Sequence, residues 1–354
     1  MKTWIKVLGG LLAVGLVAAG GYSFSLYRDL RNPPEIDFWY DDAPLVFAGS
    51  GLAQNQINVL GNVRDPNGVA SLYYRLNEGV ETFLSVGPDL RRLENPGDFN
   101  IDLMADQLKV GENSLTLYAW DGAGNKAEKV LEFDYQPQEA MMPLELTWNQ
   151  VKNIPQVAMI VDGEWQLTPE GLSNIASGYD RLIAVGDRKW QDYDVSMQFR
   201  LDDIDPSGWE YPSGSPAVGV ILRWQGHSDY PKAGWQPQSG WLPMGAITWI
   251  RWDDDKQGAE IQIMEGVEGT VVAREEFAPE PKTGDWYLLH AQVETDASGD
   301  SWYRISIWPD GENEPADWML ESQFPSLAKG SVVILAHEVK VTVEKIFVYP
   351  LTPQ

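Results

Sequence analysis

Arginine and tryptophan share strand-like stretches with aliphatic residues in the second half of the chain. GVILRWQGHSDY (219–230) places Val220, Leu222 and Trp224 on one parity and Arg223 on the other. AITWIRWDD (246–254) pairs Trp249 with Arg251 on one face and Ile250 with Trp252 on the opposite face. The outward set, completed from neighbouring strands, is Arg223, Trp249, Arg251, Gln262, His290, Gln292 and Arg304. Sugars bind through this mixture: their C–H faces stack on indole, and their hydroxyls take hydrogen bonds from guanidinium and amide groups. The same residues would also serve as the solvated face of an antiparallel sheet, with arginine stems shielding indoles.

Residues able to break bonds are harder to find. There is no cysteine, which excludes thiol catalysis, thiolate metal sites and disulfides. The three histidines, His227, His290 and His337, are too scattered for a helix-borne zinc site. His227 reads as a loop hydrogen-bonder and His337 as structural. Glycoside hydrolysis needs two carboxyls facing across a cleft. EIDFWY (35–40) resembles the start of the Glu-x-Asp-x-x-Glu stretch of family-sixteen glycoside hydrolases but lacks the closing glutamate, and so does VETDAS (293–298). DDD (253–255) reads as a solvated turn. An eliminative lyase would want a Tyr or His base with neutralising arginines, roles open to His290 or Tyr303 beside Arg223 and Arg251. A glycoside hydrolase or lyase is therefore the alternative to a binding protein, and a structural or protein-binding module is the third reading. No cofactor is implied. Asp65, Asp121 and Asn125 could hold a structural calcium, although all three also suit turns.

The elements that must position these residues are strands. The chain has 354 residues, 44% hydrophobic, enough for two domains with their own cores. The net charge of −26 repels nucleic acid and anionic membrane surfaces. Sixteen tryptophans, most of them between Trp165 and Trp318, supply flat aromatic surface. At the N-terminus, Lys2 and Lys6 precede an apolar run from Val7 to Leu26, long enough to cross a bilayer. Residues 1–31 read as a membrane anchor or as a signal peptide segment, which would be cut after Val17-Ala18-Ala19. Apolar character persisting through Tyr22, Phe24 and Leu26 favours a membrane anchor instead. Either way the rest is exported, and the absence of Asn-x-Ser/Thr sequons fits a bacterial envelope.

Residues 32–44, with Pro33-Pro34, read as a stalk. In 45–135, GNVRDPNGVASLYYRLNEG, GDFNIDL and GENSLTLYAWDGAGNKA alternate and close on turn residues. This unit resembles the bacterial immunoglobulin-like domains of surface proteins, which implies a sandwich acting as a spacer. QPQEAMMP (136–143) reads as a linker. In 144–354, DYDVSMQFRL turns Tyr193, Val195, Met197, Phe199 and Leu201 inward, and WYLLHAQVET does so with Leu289, Ala291 and Val293. RLIAVGDRKWQDYDVSMQFRL, TGDWYLLHAQVE, YRISIWPDGENEPADWML and VEKIFVYPL resemble concanavalin A-like (laminin G-like) jelly rolls, the fold of lectins and glucanases. That resemblance implies a concave sheet whose outward residues line one groove, with a polysaccharide or glycan as partner. Trp308 and Trp318 are expected to anchor the connection between them. The expectation is an all-β chain of two β-sandwich domains after an N-terminal hydrophobic helix.

Overall fold

The computed structural model describes residues 31–40, 44–210, 214–229, 234, 236–253 and 258–351. The apolar run Val7 to Leu26 lies outside them, and among the described residues no helix is long and apolar enough to cross a membrane. The described chain is all-β, with only short 3-10 turns between strands.

The first sandwich packs a three-stranded sheet, Glu35–Phe38, Gln56–Arg64 and Asp98–Met104, on a five-stranded one. The latter runs Val46–Phe47, Lys126–Tyr135, Gly111–Asp121, Val69–Leu76 and Thr82–Leu84. Alternating Ile57, Val59, Phe99, Ile101, Leu115 and Leu117 are fully buried between them. Residues 35–38, expected in the stalk, form an edge strand paired with 61–64. Ile36 and Phe38 point into this core, and Phe38 meets the Phe99 ring edge-on at 5.8 Å. The calcium candidate Asp121 closes its own turn: one carboxylate oxygen accepts from the Ala123 and Asn125 N–H groups, the other from the Asn125 amide.

The second sandwich is larger. Its seven-stranded sheet runs Met159–Asp162, Arg181–Val185, Ser331–His337, Ala217–Trp224, Ala246–Trp252, Ala259–Glu265 and Val271–Glu276. The eight-stranded sheet runs Trp165–Thr168, Gly171–Asn174, Val339–Pro350, Tyr193–Ile204, Trp286–Thr295, Ser301–Pro309 and Leu320–Phe324, with Leu144–Thr147 also paired to Val339–Pro350. Tyr193, Val195, Met197, Phe199 and Leu201 face Val218, Val220, Leu222, Ile250 and Trp252 across one core. Each such side chain contributes about 1.5–3 kcal/mol on burial, so the two-residue alternation fixes which face is inner.

One strand breaks the alternation. Between Leu222 and Trp224 the register against Ser331–His337 shifts, and Arg223 takes φ +55°. This bulge moves Trp224 to the opposite face from Val220 and Leu222. Arg223 is not an outward groove residue: it is fully buried. Its Nε donates to Gln191 O at 3.1 Å, Nη1 to Ser301 Oγ at 2.7 Å and Leu327 O at 2.5 Å, and Nη2 to Asp192 Oδ1 at 2.8 Å and Thr295 Oγ1 at 2.6 Å. Its backbone N–H donates to the Tyr193 hydroxyl at 2.7 Å.

The first sandwich does not stand off as a free spacer; it docks on the outer face of the seven-stranded sheet. Met159, Val161, Leu182, Ile221, Trp224 and Leu335 join its core cluster. Trp224 Nε1 donates to Gln54 Oε1 at 3.2 Å. Arg92 sits between Asp102 and Asp162, at 3.0 Å and 2.6 Å, and His227 Nε2 meets Asp162 at 2.8 Å. The 136–143 segment is pinned as well: Trp190 Nε1 donates to Ala140 O at 2.7 Å, and Met142 is buried.

Removing one partner of a buried charged pair typically costs about 3–5 kcal/mol. Arg223→Ala is expected to cost a sizeable part of that, read as a lower denaturant midpoint, because the partly exposed Asp192 and four neutral acceptors lose their donor. A midpoint equal to the parent's would show that the guanidinium does not hold the bulge.

Candidate binding cleft on the seven-stranded sheet

The strand Ala246–Trp252 keeps a clean alternation, so Ile250 and Trp252 enter the core while Ile247 and Trp249 take the outer face. Next to it, Ala259–Glu265 opposes Gln262 to Trp249, and Ser331–His337 ends with His337 on the same side as Leu335. The first sandwich covers part of this face. Beside it a cleft of about 250 Å³ remains, walled by Tyr179, Trp241, Ile247, Trp249, Arg251, Met264 and His337. A neighbouring hollow of about 290 Å³, lined by Arg251, Glu260, Gln262 and Arg274, shares Arg251 with it.

Two indoles and a guanidinium dominate the cleft. The Arg251 guanidinium lies 5.5 Å from the centre of the Trp249 ring, a cation–π distance. No hydrogen bond or ion pair occupies that guanidinium among the described residues. Trp249 Nε1 donates to Gln262 Oε1 at 3.3 Å, and Gln262 Nε2 donates to Glu260 at 2.8 Å. Trp241, from the loop before Met244, packs 5.5 Å from Trp224 and 5.1 Å from His227. His337 Nδ1 bonds Asp180 Oδ1 at 2.9 Å, and the Tyr179 ring meets His337 edge-on at 5.2 Å. Burial holds the Asp180 carboxyl above its usual range, against the opposing pull of His337.

Behind the cleft, Glu338 is buried at φ +53° between the Ser331–His337 and Val339–Pro350 strands. Its backbone N–H donates to Gly178 O at 2.8 Å, while its Oε1 has no hydrogen-bond partner. Burial pushes its carboxyl up to about 7; His337 opposes the rise, and Glu94 and Asp205 add to it.

Of the seven residues expected in one groove, the structure brings together Trp249, Arg251 and Gln262. Arg223 lies inside the protein. His290, Gln292 and Arg304 lie on the outer face of the eight-stranded sheet, on the far side of the sandwich. Alternation tells which residues face out, not which sheet they face out from. On that sheet they are committed to carboxylates. His290 bridges Asp194 at 3.1 Å and Glu314 at 2.6 Å; burial would lower its pKa, but these partners outweigh it and hold the imidazole above its usual value. Gln292 donates to Asp194 at 2.8 Å, and Arg304 pairs with Glu294 at 2.9 Å and Glu321 at 3.3 Å. Trp318 is only half-buried and packs on His290 at 4.5 Å. Tyr303, a candidate lyase base, is buried in the core with its hydroxyl on Ser326.

Sequence reading missed Tyr179, Asp180, Trp241 and His337 as a group. The alternation Val333, Leu335, His337 already carries the signal for His337. Trp241 sits in a loop, where no periodicity points to it.

No family model matches the chain, and no curated protein matches it. Among solved structures it is similar to the carbohydrate binding module CBM66 from Bacillus subtilis, at 14% identity over 54% of this chain and 94% of that one, TM-score 0.36. It is similar to alginate lyase Aly36B at 10% identity over 60% and 98%, TM-score 0.39. A third is the VIP36 exoplasmic/lumenal domain in its Ca2+/Man3GlcNAc-bound form, at 9% identity over 59% and 89%, TM-score 0.37. At such identities and scores none of them assigns a site or an activity.

A carboxyl whose pKa is raised by folding stabilises the fold while protonated. For Glu338 that contribution is fully present below its ordinary value of 4.5 and is lost as pH rises through about 7. Glu338→Gln is expected to melt near the parent at about pH 4.5 and above it at about pH 8, because the amide never charges. Parallel melting curves across this range would contradict the assignment.

Proposed function

We propose that this chain is an exported, envelope-anchored carbohydrate-binding protein that takes its glycan in the cleft at Trp249 and Arg251. The observation that carries the reading is the pairing of an uncommitted guanidinium with two indoles in one concave site on a rigid sheet. Concave, largely apolar sites with a few convergent polar groups are where small ligands bind. Here Trp241 offers stacking surface and Arg251 offers charged donors, while the buried Trp249 and Gln262 form the floor that holds Arg251 in place. The far sheet has similar residue types, but its donors are already spent on its own carboxylates. Export and anchoring rest on the apolar run Val7 to Leu26 behind Lys2 and Lys6.

A second reading is supported by the Asp180–His337 pair. A histidine oriented by a buried carboxyl, with Tyr179 and Arg251 lining the same cleft, is an arrangement that could remove a proton from a bound sugar. Release of unsaturated or shortened oligosaccharides by the parent, abolished in His337→Ala, would favour this enzyme reading. Intact glycan after prolonged incubation would leave binding alone.

The binding reading is tested by a glycan array on the whole chain, followed by titration of the best glycan. Arg251→Ala and Trp241→Ala are each expected to weaken binding about tenfold or more, the equivalent of about 1.4 kcal/mol. His290→Ala and Arg304→Ala, on the opposite sheet, should bind as the parent does. If no glycan binds the parent, or if both pairs of variants lose affinity equally, the cleft is not a glycan site.

A further inference from the structure

A separate cleft lies where the edge strand of the first sandwich meets the second. It measures about 410 Å³, within the roughly 300–1,000 Å³ of small-molecule sites. Trp39 and Tyr40 line it from the first sandwich, and Trp165 from the second. Tyr40 is fixed by donating its hydroxyl to Asn58 O at 2.7 Å, and Trp165 by donating Nε1 to Asp162 O at 3.0 Å, so these walls are rigid.

The chemistry of this cleft is opposite in sign to that at Arg251. Asp37 and Glu164 both line it, one from each sandwich. Glu164 is half-buried, and no described residue donates a hydrogen bond to its carboxylate. Burial, then the charges of Asp37 and Asp98, hold its carboxyl above the usual range, the mark of an acceptor deprived of a cation. Asp37 is half-exposed and already forms loose ion pairs with the exposed Lys129 at 3.9 Å and Arg64 at 4.0 Å, so Glu164 is the carboxylate left without a cation. Lys152, which is exposed, also lines the cleft, and no ion pair links it to Glu164.

We propose that this interdomain cleft is a second binding site for a primary-ammonium sugar, a hexosamine unit without its N-acetyl group. The ammonium group would meet Glu164 and Asp37, and the ring would rest against Trp39 and Tyr40. Aromatic faces attract cations, a carboxylate adds charged hydrogen bonds, and the net charge of −26 favours the approach of a cationic chain. Because the walls come from both sandwiches, a bound ligand bridges them. The site is independent of the Arg251 cleft, and each stands or falls without the other.

The test is calorimetric titration of the whole chain with glucosamine oligomers, with N-acetylglucosamine oligomers of equal length and with spermidine. The deacetylated oligomer is expected to bind, and Glu164→Gln to weaken it about tenfold, the loss of one charge-assisted hydrogen bond. Arg251→Ala should leave this affinity unchanged. Equal binding of the acetylated oligomer would overturn the role of the ammonium group, and equal binding of spermidine would overturn the sugar class. Undiminished binding by a Glu164→Gln variant that melts like the parent would overturn the site itself.

Discussion

Arg92 is the hinge on which the arrangement of the two sandwiches rests. It has almost no exposure, and its two carboxylate partners come from different domains, Asp102 from the first and Asp162 from the second. Burial works against all three charges, yet the mutual attraction wins: Asp162 is held below the usual carboxylate range, with Arg92 and then His227 opposing its desolvation. Asn58 and Asn100 complete the set, donating to Asp102 at 2.6 Å and to Asp162 at 2.9 Å. A network this satisfied fixes one docking geometry, because a shift of either domain would strand a buried charge.

That geometry decides what the outer face of the seven-stranded sheet can do. Where the first sandwich sits, Val161, Leu182 and Trp224 serve as interface core. Beyond its edge the same face stays open at Trp241 and Arg251. The bulge at Arg223 contributes to both, since it moves Trp224 out to the interface and ties the strand end through five donors. Trp224 then supports Trp241, which closes the wall of the cleft. Domain docking and cleft shape are linked through these two indoles.

The all-β character and the inner faces were legible in the sequence because burial at a period of two leaves a strong imprint. Tyr193 to Leu201, Leu289 to Val293 and the split of Trp249 from Ile250 all follow it. Arg223 defeated the pattern, because a bulge adds one residue without changing the local composition. The interface was hidden for a different reason. Gln56, Asn58, Asn100 and Asp102 alternate with Ile57, Val59, Ile101 and Leu103, which is also how a solvated sheet face reads. Only the contacts that Asp102 makes with Arg92, and those that Asn100 makes with Asp162 and Gln56 with His227 O, distant in sequence, show that this face is buried. The division of the outward residues between two sheets was equally out of reach, since strand order is a property of the whole chain.

The pinned segment 136–143 and the shared core above it bear on how such a protein can be inherited. Modules that travel between genes end in self-sufficient surfaces. Here the second sandwich, moved alone, would present Val161, Leu182, Ile221 and Trp224 to water and leave Asp162 without its arginine. Recombination that kept one half would produce a sticky, charge-stranded fragment. The second sandwich therefore depends on the first to cover its outer face, and a substitution at Arg92 would be felt in both domains at once.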